Sequence, residues 1–420
     1  MSKFVISELE KKYEKGLEKR LTIDGVSKKY QSFKFPISNL YYNDLNGRIA
    51  SYIEEYNDTN SKTISELNVE NLNEYNKVIS KYIIDSALDD CKSFNEIKED
   101  IRKKGQEIPG VILSDGRIID GNRRFTALRK LYEETCNPQF GYFEAVCLEA
   151  PIKGDFDGWK RIKSLELNLQ FNVNEKKDYN RIDELVSFYR DAIDQNTKMF
   201  DEKSYCFASG INKTKFNKDK KIVNVMLDYL EWRGKPKAFY ILKNEKLDGP
   251  IEELALAASK MSESEWNLKK EIFYIYMTIN DDGDRTRDIR NLIKSAKTEG
   301  TLYNEVKNKF ESDDVYSKAF EYIDKIDQKS NNPDVEIKKE SLKQYLSSEL
   351  KGAFRSGLYL EAEDNVNTKP IETVDKATKL INSIDSASIK WLAEDSRQNL
   401  QSKLESLKQI IKKIEDKCNE

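Results

Sequence analysis

Residues 108–132, IPGVILSDGRIIDGNRRFTALRKLY, constrain the fold more than any other stretch of this chain. An apolar run from Val111 to Leu113 meets an Asp115-Gly116 turn, and a second apolar pair, Ile118-Ile119, follows at hairpin spacing. Asp120-Gly121-Asn122 then leads into a helical pattern carrying Phe125, Leu128, Leu131 and Tyr132. The segment reads as a β-hairpin that runs through a glycine turn into a helix. FGYFEAVCLEA, beginning at Phe140, supplies a further strand. A small mixed sheet with helices packed on it is what these elements can build.

The rest of the chain is mostly helical in pattern. Residues 1–20 read as a short charged helix with Phe4, Leu9, Tyr13 and Leu17 roughly on one face. From Tyr30, alternating apolar and polar residues read as a strand leading into a loop. Residues 50–103 have helical tendency, and the part from about 50 to 90 reads as an insertion. A helix is expected from Asn174 or Glu175 onward, with Ile182, Leu185, Val186 and Tyr189 at helical spacing. Beyond Leu254 the chain reads helical, broken at 281–284, at 330–334 and around Asn365 to Pro370. The expected class is α+β, with a small mixed N-terminal domain and a mostly helical C-terminal half. Its expected boundaries are an N-terminal helix at 1–29, the mixed domain at 30–175, and helical regions at 176–255 and 256–420. Near the end, Leu400, Leu404, Leu407, Ile411 and Ile414 alternate spacings of four and three, a two-heptad seam. That seam fits a helix packed into its own bundle and a homodimer coil equally well.

Composition removes whole classes of chemistry. The chain has no histidine, which excludes imidazole charge relays, histidine general bases and histidine metal sites. Acid–base work is left to Asp, Glu, Lys, Tyr or Cys. The five cysteines, Cys91, Cys136, Cys147, Cys206 and Cys418, form no C-x-x-C pair and are odd in number. They read as small core residues in a reducing compartment. No stretch has the apolar run of a signal peptide or membrane span, so a soluble cytoplasmic protein with no membrane partner is expected. Charges nearly cancel, 71 Lys+Arg against 74 Asp+Glu, while 22 Tyr and 18 Phe supply core volume.

Asp120 to Arg124 is the strongest candidate site. Glycine at a strand–helix junction lets the backbone approach a ligand, and the amides that follow sit where the helix dipole favours an anion. Arg123 and Arg124 add permanent charge and bidentate donors suited to phosphate oxygens. The alternative is a plain helix start whose arginines pair with nearby carboxylates.

With its hairpin, this box resembles the ParB-like N-terminal domain of the ParB/sulfiredoxin superfamily. Pro109, the Asp115-Gly116 hairpin and Gly121 to Arg124 carry the likeness. Upstream, LYYNDLNGRIA resembles the family's Asn- and Arg-rich loop, with Asn43, Asn46 and Arg48 matching. Downstream, Asn168 and Gln170 match an E-N-x-Q-R segment. The likeness spans roughly residues 33–230. It implies nucleotide phosphate binding by Gly121, Asn122, Arg123, Arg124, Arg48, Asn168 and Gln170, with CTP or ATP and Mg2+ as the cofactor. The sequence departs from the pattern at Asn122, where the family box has Glu, and at Leu167, which takes the acidic position; Glu166 is the one candidate metal ligand left. Those losses weigh against efficient CTP hydrolysis. A sulfinic-acid reductase is rejected, because the cysteine and histidine that it needs beside the box are missing.

The family continues into a helix-turn-helix, and residues 202–232 fit one: Cys206, Gly210 and Phe216 take the small, turn and apolar positions. Residues 201–237 carry nine Lys/Arg against five Asp/Glu. Lys213, Lys215, Lys218, Lys220 and Lys221 would meet phosphates, and Asn212, Thr214 and Asn217 base edges. A helical hairpin with a solvated lysine face is the alternative. Trp232, Phe239 and Tyr240, interleaved with Arg233, Lys235 and Lys237, fit base stacking less well than core aromatics. Asp281, Asp282 and Asp284 lack EF-hand spacing and read as a helix start. No Walker A or G-x-S-x-G sequence occurs.

The functional expectation is a ParB-like DNA-binding protein with a nucleotide-binding N-terminal domain, from a bacterial, phage or mobile-element system, with duplex DNA and a nucleotide as partners. One alternative is a ParB-like NTPase or nuclease of phage defence or DNA modification. Another is a degenerate scaffold acting as a protein–protein adaptor.

Overall fold

A computed structural model of the chain describes residues 4–23, 25–86, 91–152, 154–171, 180–281, 283–328 and 333–418. After a one-turn helix α1 (Leu9–Lys12), strands β1 (Lys15–Ile23) and β2 (Val26–Pro36) form a hairpin. Helices α2 (Ala50–Thr59), α3 (Ile64–Glu70), α4 (Leu72–Asp85) and α5 (Cys91–Lys104) follow, then β3 (Gly110–Leu113), β4 (Ile118–Asp120), α6 (Asn122–Thr135), β5 (Tyr142–Leu148) and α7 (Phe156–Phe171). The sheet order is β1-β2-β5-β3-β4, with only the β3–β5 pair parallel. The fold is α+β, as expected.

The N-terminal helix reading is overturned over residues 15–23, which form an edge strand paired with β2. The i, i+4 spacing of Leu9, Tyr13 and Leu17 misled, because Leu9 and Tyr13 precede the strand and Leu17 is exposed within it. Strand geometry wins through the ladder with β2, a non-local gain invisible to helical periodicity.

β3 is buried at all four positions. Its side chains alternate: Ile112 joins Phe33, Phe35, Phe125 and Phe143 on the α6 face, while Val111 and Leu113 join Val146 and Leu165 on the α7 face. Helices thus cover both sheet faces. The inserted helices α2 to α5 extend the α6-side core through Ile53, Ile64, Ile79, Phe94 and Ile101.

A second, helical core runs through α8 (Arg181–Phe188), α9 (Glu202–Ser209), α10 (Lys213–Trp232), α11 (Phe239–Asn244), α12 (Asp248–Ala258), α13 (Glu263–Ile279), α14 (Arg285–Ala296), α15 (Thr301–Phe310), α16 (Asp313–Ile326) and the first part of α17 (Pro333–Asn382). Phe188, Tyr205 and Phe216 meet edge to face with centroids 5.0–6.0 Å apart and lock α8, α9 and α10 together. The expected helix start at Asn174 or Glu175 lies outside the described residues. The expected break near Asn365 to Pro370 is overturned, for α17 runs through it with Pro370 inside. Proline removes one backbone bond there, and the turns on either side carry the helix on. A final helix, α18 (Glu394–Cys418), has no buried residue. No described helix is long and apolar enough to cross a membrane.

The cysteine reading is corrected in part. Cys147 is buried, and burial pushes its thiol up to about 12; Cys136 and Cys418 are exposed and Cys206 is half-buried. The side chain of Cys91 lies outside the described residues.

A candidate functional site: the cleft at the start of helix α6

Gly121 caps α6 with φ 94°, in the left-handed region that glycine alone adopts without strain. A Cβ there would sit 3.0 Å from the Phe143 ring and 3.4 Å from Gly110 Cα. The backbone is therefore packed tightly behind the helix start, and the free side opens on a cleft of about 640 Å³. Arg48, Gly121, Asn122, Arg123, Arg124 and Glu166 all line it, although they come from three separate segments. The volume suits a nucleotide-sized ligand.

The two arginines of the box differ. Arg124 is anchored, donating from Nη1 to the Ile108 carbonyl at 2.6 Å and from Nη2 to Asp120 Oδ2 at 3.3 Å. Asp120 also accepts from Lys19 Nζ at 2.6 Å, and that ammonium reaches the Pro109 carbonyl at 2.7 Å. Burial would raise the Asp120 carboxyl, but Lys19 and Arg124 outweigh it and hold the group below the ordinary range. This half-buried ion cluster fixes the β4–α6 turn. Arg123, one position earlier, lines the cleft beside Asn122, whose Oδ1 is buried with no hydrogen-bond partner among the described residues. An orphaned acceptor at the mouth of a helix start is a group waiting for a donor.

Arg48 is presented by a short 3-10 turn, Gly47–Ile49, capped by Asn46, which accepts from the Arg48 amide at 3.1 Å. Arg117 braces this loop. Its guanidinium lies between the rings of Tyr41 and Trp159, at 5.5 and 5.2 Å, and reaches Asn43 and Asp44 at 3.4 Å each. Asn43 and Asn46 are buried in the same loop, with Asn46 on the cleft.

Glu166 is 2% exposed, on α7. Lys163 Nζ lies 3.4 Å from it, 3.5 Å from Asp191 and 3.2 Å from the Leu45 carbonyl. Burial raises the Glu166 carboxyl above its usual range. Burial also opposes charge on Lys163, yet Asp191 and Glu166 hold that ammonium charged. This lysine ties the Arg48 loop and α7 to the helical core, since Asp191 sits in a π-helical turn, Tyr189–Ile193, after α8. Among the described residues no group of three or more His, Cys, Asp or Glu is placed to hold a metal ion. Glu166, with its lysine, is a poor ligand for Mg2+.

Asn168 is half-buried on α7 and does not line the cleft; the Gln170 side chain lies outside the described residues. Sequence reasoning missed Lys19 and Arg20, which line the cleft from the strand misread as helix. It also missed the far wall, Ile83, Ile97 and Ile101, contributed by the inserted α4 and α5. The apolar periodicity of those helices was the available signal, but it does not say which cavity a helix borders.

The α9–α10 segment does form two helices around Gly210, which adopts φ 71° at the turn. Asn212 caps α10 by accepting from the Lys215 amide at 2.8 Å. Three of the predicted lysines are already paired: Lys213 with Glu202, Lys215 with Glu184 and Asp219, and Lys218 with Glu252. Thr214, Asn217, Lys220 and Lys221 are exposed. Arg233 is buried between Glu245 and Asp327, and Trp232 stacks on Tyr229, so that basic-aromatic stretch is core. Asp284 caps α14 and Asp281 pairs with Lys343, as a helix start requires; Asp282 lies outside the described residues. Compared with protein-family models, curated proteins and solved structures, the chain matches none.

Proposed function

We propose that this chain is a ParB-like DNA-binding protein whose N-terminal half binds a nucleotide in the α6 cleft. The carrying observation is the convergence of Arg48, Gly121, Asn122, Arg123 and Arg124 on one cavity. In this reading the α6 amides, Arg48 and Arg123 take the phosphates, and Arg124 and Lys19 keep the turn in place. Ile83, Ile97 and Ile101 offer an apolar wall for the base and sugar of CTP or ATP. The cleft carboxylates Asp120 and Glu166 are each engaged by a lysine, which favours binding over hydrolysis by an NTPase or nuclease. Duplex DNA would meet the exposed Thr214, Asn217 and Lys221 along α10, and Lys213 and Lys218 once they leave Glu202 and Glu252, with Lys215 held back by its two carboxylates.

A thermal-shift panel of CTP, ATP, GTP and inorganic triphosphate, with and without duplex DNA, tests both parts. A nucleotide should raise the melting temperature in wild type and not in Arg123→Ala. No shift with any of the four, or an unchanged shift in the variant, removes the nucleotide reading. DNA retardation insensitive to salt, or absent, removes the DNA reading.

A further inference from the structure

Mg2+ at a nucleotide site is held by one or two carboxylates together with the phosphates, in near-octahedral geometry at about 2.1 Å. The carboxylates that border the α6 cleft do not offer such oxygens. Asp120 Oδ2 already accepts from Lys19 Nζ at 2.6 Å and from Arg124 Nη2 at 3.3 Å. Glu166 Oε2 lies 3.4 Å from Lys163 Nζ, a buried ammonium that Asp191 and the Leu45 carbonyl hold from its other sides. A dication on that oxygen would face a positive charge buried too deeply to turn away. Asp100 pairs with Lys104 at 2.7 Å, and Glu107 lies exposed on the rim. The donor set does not fit the ion that the family resemblance implies.

We infer that the cleft binds the polyphosphate of its nucleotide without a divalent cation, with Arg20, Arg48 and Arg123 in place of the metal. The inference rests on the nucleotide reading above and adds the ionic form of the ligand. Arg20, exposed on β1, lines the same cavity as Arg48 and Arg123. It stands directly opposite Lys29 in the β1–β2 ladder, a like-charge pair of the kind that destabilises a hairpin. Lys29 finds its counter-charge in Glu18, at 2.9 Å; for Arg20 the cleft is where an anion would supply one. Guanidinium groups keep their charge at every working pH and match phosphate oxygens with paired donors. Lys19 and Lys163 meanwhile keep the two inner carboxylates from the ion. Mg2+ bound to the phosphates would compete with the guanidiniums for the same oxygens, so the free nucleotide is the better ligand.

Calorimetric titration of the full chain with CTP, ATP and GTP, in EDTA and in excess Mg2+ at matched ionic strength, tests this. The Kd in EDTA should equal that in Mg2+ or fall up to ~10-fold below it. Arg20→Ala should raise the Kd ~10-fold in both buffers with the melting temperature unchanged, and Arg20→Lys should recover part of the loss. A wild-type Kd more than ~3-fold lower in Mg2+ overturns the inference and leaves the nucleotide reading standing. Arg20→Ala that binds like wild type overturns the exchange of metal for guanidinium. No binding of any nucleotide in either buffer overturns the nucleotide reading and this inference together.

Discussion

Two basic clusters in this molecule look alike in one dimension and differ in three. The cleft arginines come from segments some 75 residues apart and line one cavity, whereas three of the α10 lysines, neighbours in sequence, meet carboxylates. At the cleft, Arg124 and Lys19 pair with Asp120, and Arg48 and Arg123 line the same cavity. On α10, Glu184, Asp219 and Glu252 from α8, α10 itself and α12 hold Lys215 and Lys218. A run of positive residues is therefore weak evidence of an anion site until its neighbours are known.

The comparison can be broken most sharply at Arg123. Replacing it by Ala should weaken nucleotide binding ~10–100-fold by calorimetry, the loss of one charge-assisted contact pair; an unchanged Kd would reduce the cleft to a structural feature. Next comes Gly121→Ala, which puts a Cβ at positive φ against Phe143. Urea melts should show a loss of ~1–3 kcal/mol, and nucleotide affinity should fall with it. Wild-type stability would mean that the turn is slack.

A third cluster tests the same lesson in reverse. Glu54, on α2, is pushed up to about 8 by burial, which outweighs nearby Arg190 and acts with Asp183; its Oε2 has no hydrogen-bond partner among the described residues. The unfolded chain ionises this carboxyl near 4.3 and the folded one only near 8, so its contribution to stability falls as pH rises between those values. Glu54→Gln should flatten that slope and gain ~1–3 kcal/mol at pH 8. A slope unchanged in the variant would assign the pH dependence elsewhere. The smallest effects belong to α10. Lys221→Ala should lower the salt slope of DNA binding by about 1. Lys215→Ala should barely change DNA affinity but cost ~0.2–1 kcal/mol of stability. The opposite ranking would mean that DNA displaces Glu184 and Asp219.

Legibility followed the range of the interactions. The hairpin, the Gly121 turn and α6 were readable because each depends on residues within a few positions: Asp115-Gly116 for the turn, Gly121 for positive φ, Phe125 and Leu128 for the helix face. β1 was not, since its strand state comes from pairing with β2 and its helical spacing is incidental. Arg117 went unnoticed for a similar reason. Nothing local says that a hairpin arginine will lie between Tyr41 and Trp159 and brace the loop that presents Arg48.

By itself the sequence determined the α+β class, the glycine-started helix with its arginines, the exclusion of imidazole chemistry, and the heptad seam of α18. These are local facts of backbone preference, periodicity and composition. Only the tertiary structure decided which cations border the cleft, that α4 and α5 wall it, and that the seam stands clear of its own bundle. Those outcomes turn on burial and charge pairing between distant segments, which a one-dimensional pattern does not encode.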